Sequence, residues 1–438
     1  MAVSTSPLFA ATDSSVNELR DRVAELETEL ADMKRADGEQ WLTERRADEI
    51  RSLVSDVLAD ADTRASFQGG HTGYYKDGAV IESEDGNFKL KVNGQVQVRY
   101  TVNYRDDAPA GVDSTVRGFD NTRTKLIFSG HVHDSSWKYK VSGDFGPLSN
   151  GAGTFGLENA YIKKVLGNGN SYVKFGQFKL DFLREENVSA AKQLAADRSL
   201  VNDFFTQDYS QGVEWGWHND NTRFSVAFSD GFGSRNSAAL ASGAAAAAEY
   251  AITGRLDFLL SGDWAQFSDF TSMPGSTDGT AVLIGVAGHY EESASGVGNI
   301  PAMEVERFTY TVDGSIEGDG WNAFAAFVGN SLESDAMADV DQYGFVVQGG
   351  MFINDSNELF ARYEWGDADM AGVEDLSLLT VGINSYYYGH NLKSTVDIGY
   401  AFDELTSGGF TTGSLDYVPT AADEDGELVI RGQLQLLF

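Results

Sequence analysis

Residues 88–105 read FKLKVNGQVQVRYTVNYR, and their alternation decides the fold. Phe88, Leu90, Val92, Val96, Val98, Tyr100, Val102 and Tyr104 share one parity with Gly94. Lys89, Lys91, Asn93, Gln95, Gln97, Arg99, Thr101, Asn103 and Arg105 share the other. A period of two sends the two sets to opposite faces of a strand. The run is much longer than the roughly five or six residues usual in a soluble sheet. It suits a tilted membrane strand, which needs roughly 9 to 11 residues and can continue past the bilayer.

The same pattern recurs outward from that stretch to the C-terminus, GELVIRGQLQLLF, where Leu428, Ile430, Gly432, Leu434, Leu436 and Phe438 alternate with Val429, Arg431, Gln433, Gln435 and Leu437. Strands are predicted near 88–105, 116–132, 137–146, 156–166, 171–179, 211–217, 222–229, 250–260, 280–290, 304–316, 321–329, 342–353, 358–366, 376–387, 392–402 and 427–438, sixteen in all. Connections such as HDSS (133–136), GNGN (167–170), HNDN (218–221), EGDG (317–320), NDSN (354–357) and YGHN (388–391) alternate with long ones. Short turns on one rim and long loops on the other are the habit of an outer-membrane barrel. The connection 261–279 falls on the short-turn rim and is long. The last strand is expected to close against the first, leaving no sheet edge and placing Phe438 at an interface.

Before the barrel the period is helical. Val16, Leu19, Val23, Leu26, Leu30 and Met33 are spaced alternately by three and four, flanked by charge, as in an a/d seam. Ile50, Leu53, Val54, Val57, Leu58 and Ala61 form a second amphipathic stretch. The expected organisation is residues 1–15 as a signal remnant or disordered tail, 16–66 as a helical coiled coil, and 79–438 as the barrel. No stretch is long and apolar enough for a membrane helix.

The chain has 48 glycines, 6 prolines, no cysteine and a net charge of −34. Lysine plus arginine against aspartate plus glutamate is 9 to 19 over residues 1–87, 16 to 11 over 88–198 and 7 to 36 over 199–438. The total argues against nucleic acid as a partner, and the middle segment points to one local anion-attracting region. There is no thiolate, and no G-x-S-x-G, H-E-x-x-H or phosphate-loop motif. His131 and His133 alone do not make a zinc site. Neither a catalytic residue, a metal site nor a cofactor is expected. The acidic stretches 331–341, 366–375 and 421–427 fall on the long-loop rim and read as solvated faces.

YVKFGQFKLDFLREE (172–186), DRSLVNDFF (197–205), LTVGINSYYYGHNLKSTVDIGY (379–400) and the terminal IRGQLQLLF together resemble the phosphate-selective porins of the O and P type. The resemblance covers roughly residues 79–438. It implies a sixteen-stranded trimeric barrel with the third long loop folded into the pore. The expected fold class is therefore all-β, a sixteen-stranded antiparallel transmembrane β-barrel with an N-terminal α-helical coiled-coil segment. The family's basic lumen contrasts with this acidic chain, which counts against phosphate as the solute.

Lys89, Lys91, Arg99 and Arg105 share the polar parity of the first strand, and Arg123, Lys125, Lys138 and Lys140 occupy inward positions on the next two. Cations in a watery lumen are tolerable, whereas on the lipid face near the midplane they cost about 2–4 kcal/mol. Lining a pore, they favour anions; the alternative is that they pair with lumen carboxylates such as Asp144 and Glu158. The connection 180–210 is too long for an idle hairpin and is the candidate constriction loop, with Arg184, Lys192 and Arg198 facing Glu185, Glu186 and Asp197. These residues predict an outer-membrane porin in contact with outer-membrane lipids, for passive diffusion of small hydrophilic solutes with weak anion preference, and the resemblance implies that it is a homotrimer. The N-terminal segment is placed in the periplasm, with cell-wall contact through the coiled coil. The competing reading is a structural tether that uses this coiled coil.

Overall fold

The computed structural model describes residues 11–36, 71–105, 114–146, 155–236, 248–277, 279–293, 305–334, 338–405, 409–410, 416–418 and 426–438. The chain divides into two units, Met1–His71 and Thr72–Phe438. In the first, helix α1 spans Ala11–Ala36 and begins ahead of the predicted Val16. Val23 and Leu26 of its apolar seam are exposed. It is a single helix, and the expected coiled coil is not shown. Residues 1–10 and 37–70, with the second amphipathic stretch, lie outside the described residues.

Two short strands that the sequence reading did not identify come next, β1 (His71–Tyr75), which begins at the unit boundary, and β2 (Ala79–Ser83). Sixteen strands follow. They are β3 (Lys89–Arg105), β4 (Thr115–His131), β5 (Trp137–Asp144), β6 (Gly156–Leu166), β7 (Ser171–Lys179), β8 (Tyr209–His218), β9 (Thr222–Ser229) and β10 (Ala248–Ser261), then β11 (Ala281–Ser293), β12 (Val305–Gly318), β13 (Trp321–Ser334), β14 (Val340–Asn354), β15 (Asn357–Asp367), β16 (Leu376–Tyr386), β17 (Leu392–Ala401) and β18 (Glu427–Leu437). Each pairs antiparallel with the next, and β18 returns to β3 from Glu427↔Arg105 to Leu437↔Gln95. The closed sixteen-stranded antiparallel barrel thus matches the predicted strands, with ends moved by a few residues.

Burial along the wall is the reverse of a soluble sheet. On β3, Gln97, Arg99 and Asn103 are at most 2% exposed, while Val98 and Tyr104 are about 40% exposed. Ile162, Phe175, Phe228 and Leu434 likewise point outward with more than half their surface uncovered. An exposed apolar band around a buried polar interior is stable where the outside solvent is hydrocarbon, and a closed barrel leaves no backbone group unpaired there.

The seam is completed by the last residue. Phe438 N–H donates to Gly94 O at 3.0 Å and Gly94 N–H donates to Phe438 O at 2.6 Å. The Phe438 ring lies over Gly94 so closely that a Cβ there would come within 2.3 Å of it. Any larger residue at 94 must push that ring aside. Gly94→Val is expected to cost about 1–3 kcal/mol through overpacking. It should reduce the heat-modifiable, compact band seen on unboiled gels; a wild-type fraction of folded barrel would contradict this seat.

Candidate functional site: the lumen and its inward loops

The connection 180–208 does not arch over the rim but lies inside the barrel. It contains helix α2 (Arg184–Asn187), a tight turn at Ala190–Lys192 and helix α3 (Leu200–Phe205). Ser199 caps α3, its Oγ accepting from Asn202 N–H, and the Glu185 carboxylate accepts from Ser199 N–H at 2.8 Å and Oγ–H at 2.6 Å. A serine in that place satisfies one of the free amides of the first turn.

Wall side chains grip the loop by its backbone. Gln435 donates to Ala191 O, Lys393 to Gln193 O, Asn384 to Leu194 O, Arg99 to Ala196 O and Arg362 to Asp197 O, all at 2.8–2.9 Å. Asp397 accepts from Ala196 N–H at 2.9 Å and Glu364 from Leu200 N–H at 2.6 Å. All these strands belong to the arc β15–β18 and β3. Beside the grip, Phe182, Leu183, Leu200, Val201 and Phe205 pack on Val328, Leu376, Leu378 and Val429, joined by Leu405, Phe410 and Tyr417 from the β17–β18 connection.

A buried ion network joins these parts. The Arg431 guanidinium donates to both Asp397 oxygens at 2.6 and 3.1 Å, and also to Asp416 at 3.2 Å. Arg99 bonds Asp416 and, at 3.0 Å, Asp197; Arg123 bonds Asp197 at 2.7 Å. Burial alone would raise the Asp197 carboxyl, and Arg123 and Arg99 outweigh it, holding the group well below the usual carboxylate range.

Several expected pore groups are therefore internal ties. Rather than facing one another across a passage, Glu185 and Asp197 are bonded within the loop and to Arg362, Arg99 and Arg123. Glu186 bonds Lys179 and Arg198, and Arg198 also donates to Glu185 O, Glu186 O and Val188 O, closing the loop on itself. Arg99 and Arg105 face inward but are buried. Lys125 bonds Glu158 and lies 3.8 Å from Asp144, as the pairing alternative anticipated. Lys89 and Lys91 have the inward parity but sit at the rim, where β3 outruns β18 and pairs with β2 instead; Lys89 contacts Glu82 at 3.5 Å. Lys138 is exposed at the turn-side start of β5, one inward step from the half-buried Lys140.

The other half of the lumen keeps a cavity of about 460 Å³, lined by Lys163, Asp181, Arg184, Arg223, Asp257 and Trp264 among others. Arg184 donates to Ser315 Oγ at 2.7 Å and through two N–H groups to Phe267 O at 3.2 Å. Lys163 lies 3.3 Å over the Tyr172 ring, and Arg223 lies 3.9 Å over Trp264. Among the described residues no carboxylate forms an ion pair with Lys138, Lys140, Lys163 or Arg223, whereas Lys174 pairs with Glu214 at 2.8 Å. The long connection on the short-turn rim also folds inward: Phe267, Phe270, Thr271 and Ser272 are buried, and Asp269 meets Lys192 at 3.4 Å.

Sequence reasoning missed Lys163 and Arg223, although both stand at inward parity on their strands. It also missed Arg431 as an anchor and the docking of the β17–β18 connection, whose partners are remote in sequence.

Outward apolar strands, a closed cylinder and a polar lumen narrowed by an inward loop define an outer-membrane porin. Residues 90–263 match the family of phosphate-selective porins O and P. Among solved structures, the chain is similar to an anion-selective porin from Comamonas acidovorans, at 12% identity and a TM-score of 0.56, covering 80% of this chain and 99% of that one. It is also similar to the outer-membrane channel DcaP of Acinetobacter baumannii, at 12% identity and a TM-score of 0.52, covering 81% and 99%. A loop-deletion mutant of the outer-membrane protein OmpT of Vibrio cholerae matches at 11% identity and a TM-score of 0.51, covering 80% and 100%. At these identities the solved structures establish the shared fold. No curated protein matches. Family and fold point to a channel rather than an enzyme, and the tether reading finds no support in them.

The ion network is testable through its weakest-screened member, Asp397, which is fully buried. Arg431→Met strands that carboxylate and is expected to cost about 3–5 kcal/mol. The loss should appear as a lower thermal midpoint of the compact gel band. Adding Asp397→Asn should recover most of it, and an equal loss in both variants would refute the network.

Proposed function

We propose that this barrel is a weakly anion-preferring diffusion pore, in which solutes pass through the half-lumen bounded by β5–β10 and the outer flank of the 180–208 loop. One observation carries the reading. On that side Lys138, Lys140, Lys163 and Arg223 stand without a bonded carboxylate, while the cations of the opposite arc are spent on gripping the loop. The cavity there carries Lys163, Arg184, Arg223 and Arg255 against Asp181 and Asp257, and a narrow passage with such an excess of cations concentrates anions and repels cations at close range. The acidity of the chain as a whole does not oppose this, because outside a Debye length of about 8 Å at physiological salt its charges are screened.

The short-turn rim of such barrels faces the periplasm, and the chain enters β3 at that rim. This supports a periplasmic N-terminal segment. The exposed apolar residues Val23 and Leu26 suit self-association of α1, in keeping with a homotrimer.

In planar bilayers the purified protein should give stepwise conductance, with a reversal potential of anion-preferring sign across a potassium chloride gradient. Replacing Lys163 and Arg223 together by glutamate should reverse that sign. Absence of channel steps would overturn the reading, as would a reversal potential unmoved by the charge reversal.

A further inference from the structure

We infer that the connection 262–280 is a second, fixed jaw of the constriction, and that it sets selectivity by positioning Arg223 and masking Lys192. This rests on the diffusion-pore reading and extends it to a segment that enters from the opposite rim.

The geometry begins with length. The other connections on that rim are short, as at 167–170, 219–221 and 319–320, and none needs more residues to reverse an antiparallel strand. Among its described residues, Phe267 and Phe270–Ser272 turn inward. Phe270 is 2% exposed and packs against Phe324 of β13, the rings tilted by 53° with centroids 4.9 Å apart. Ser272 Oγ–H donates to Gly318 O, Thr271 shares a hydrogen bond of 3.1 Å with Tyr386, and Gly275 N–H donates to Asp319 at 2.6 Å. These bonds hold the segment to β12, β16 and the β12–β13 turn.

It is also bonded to the constriction loop. Phe270 N–H donates to Lys192 O at 3.3 Å, Phe267 O accepts from Arg184, and the Lys192 ammonium meets Asp269 at 3.4 Å. A segment bonded to wall and loop at successive residues is a rigid element, not a flap. The two jaws, one from each rim, meet between Arg184 and Lys192.

Two groups on the jaw, Trp264 and Asp269, have electrostatic consequences. Trp264 is fixed by its own indole N–H, which donates to Asp220 O at 2.8 Å, and its ring carries Arg223 at 3.9 Å. Arg223 has no bonded carboxylate among the described residues, so the ring orients the guanidinium without cancelling its charge. Asp269 does the reverse. It pairs with Lys192 and lies 3.7 Å from His390, offsetting the charge of that loop cation. Trp264 is thus a positioning residue for one pore cation, and Asp269 subtracts another.

The two roles predict opposite signs. In bilayers, Trp264→Ala should move the anion-to-cation permeability ratio toward one with conductance nearly unchanged, and Trp264→Phe, which returns the ring without the indole N–H that fixes it, should restore the ratio in part. Asp269→Asn should raise the ratio. Replacing residues 265–276 by Gly-Asn should raise single-channel conductance by about 1.5-fold or more, since a constriction sets the resistance of a pore. Folding of each variant is checked by the heat-modifiable gel band, and the two point substitutions remain decisive if the shortened chain fails to fold. If wild type shows no channel steps, the diffusion-pore reading fails. If it conducts but both point substitutions leave the ratio unchanged, or shift it in the same direction, the jaw assignment alone is overturned.

Discussion

The β3–β18 seam is the constraint on which everything else depends. In hydrocarbon an unpaired backbone amide or carbonyl costs several kcal/mol, so a strand can cross only if both its edges are bonded. Residues 95–105 of the first barrel strand and 427–437 of the last meet this condition for the whole sheet. Once the cylinder closes, the alternation of each strand assigns its side chains without further choice, apolar to lipid and polar to the lumen. The mutual bonds of Gly94 and Phe438 finish the ladder at the rim, where β18 ends and β2 takes over beside β3.

A polar lumen creates a second problem, because side chains such as Gln97, Glu364 and Asp397 are buried and must be satisfied. In one half the solution is a loop whose backbone bonds them. The apolar residues of the loop then pack against wall positions such as Leu376 and Leu378, which face inward and would otherwise line water. This half is filled by the loop and its apolar packing. The other half keeps the cavity, where Lys163 and Arg223 stand without a bonded carboxylate while Lys174 and Arg255 are paired, and the division of the lumen into a seat and a passage follows from where the loop finds partners.

Much of the barrel was legible because parity is a local property that neighbouring residues report. Strands as different as Lys89–Arg105 and Glu427–Leu437 carry the same alternation, and turns such as Asn168–Gly169 mark the breaks. The β1–β2 hairpin was not legible, being too short to show a period. Parity also cannot tell where a partner strand ends, so Lys89 and Lys91 looked like lumen residues although β18 stops opposite Gln95. Charge pairing was the least legible. Asp197 is bonded by Arg99 and Arg123 and Arg184 by Ser315 and Phe267, across separations that only the closed barrel brings together. The odd length of 262–280 was visible, but its direction was not, because inward and outward excursions have the same composition.

The donors that hold the 180–208 loop come from β3 and β4 near the start of the barrel and from β15, β16, β17 and β18 at its end. The loop lies between them in sequence and is made before half its partners exist. It can dock fully only when the final strand has joined the first, so during biogenesis an undocked loop marks an unfinished cylinder. Full occupation of the seat therefore requires the completed barrel.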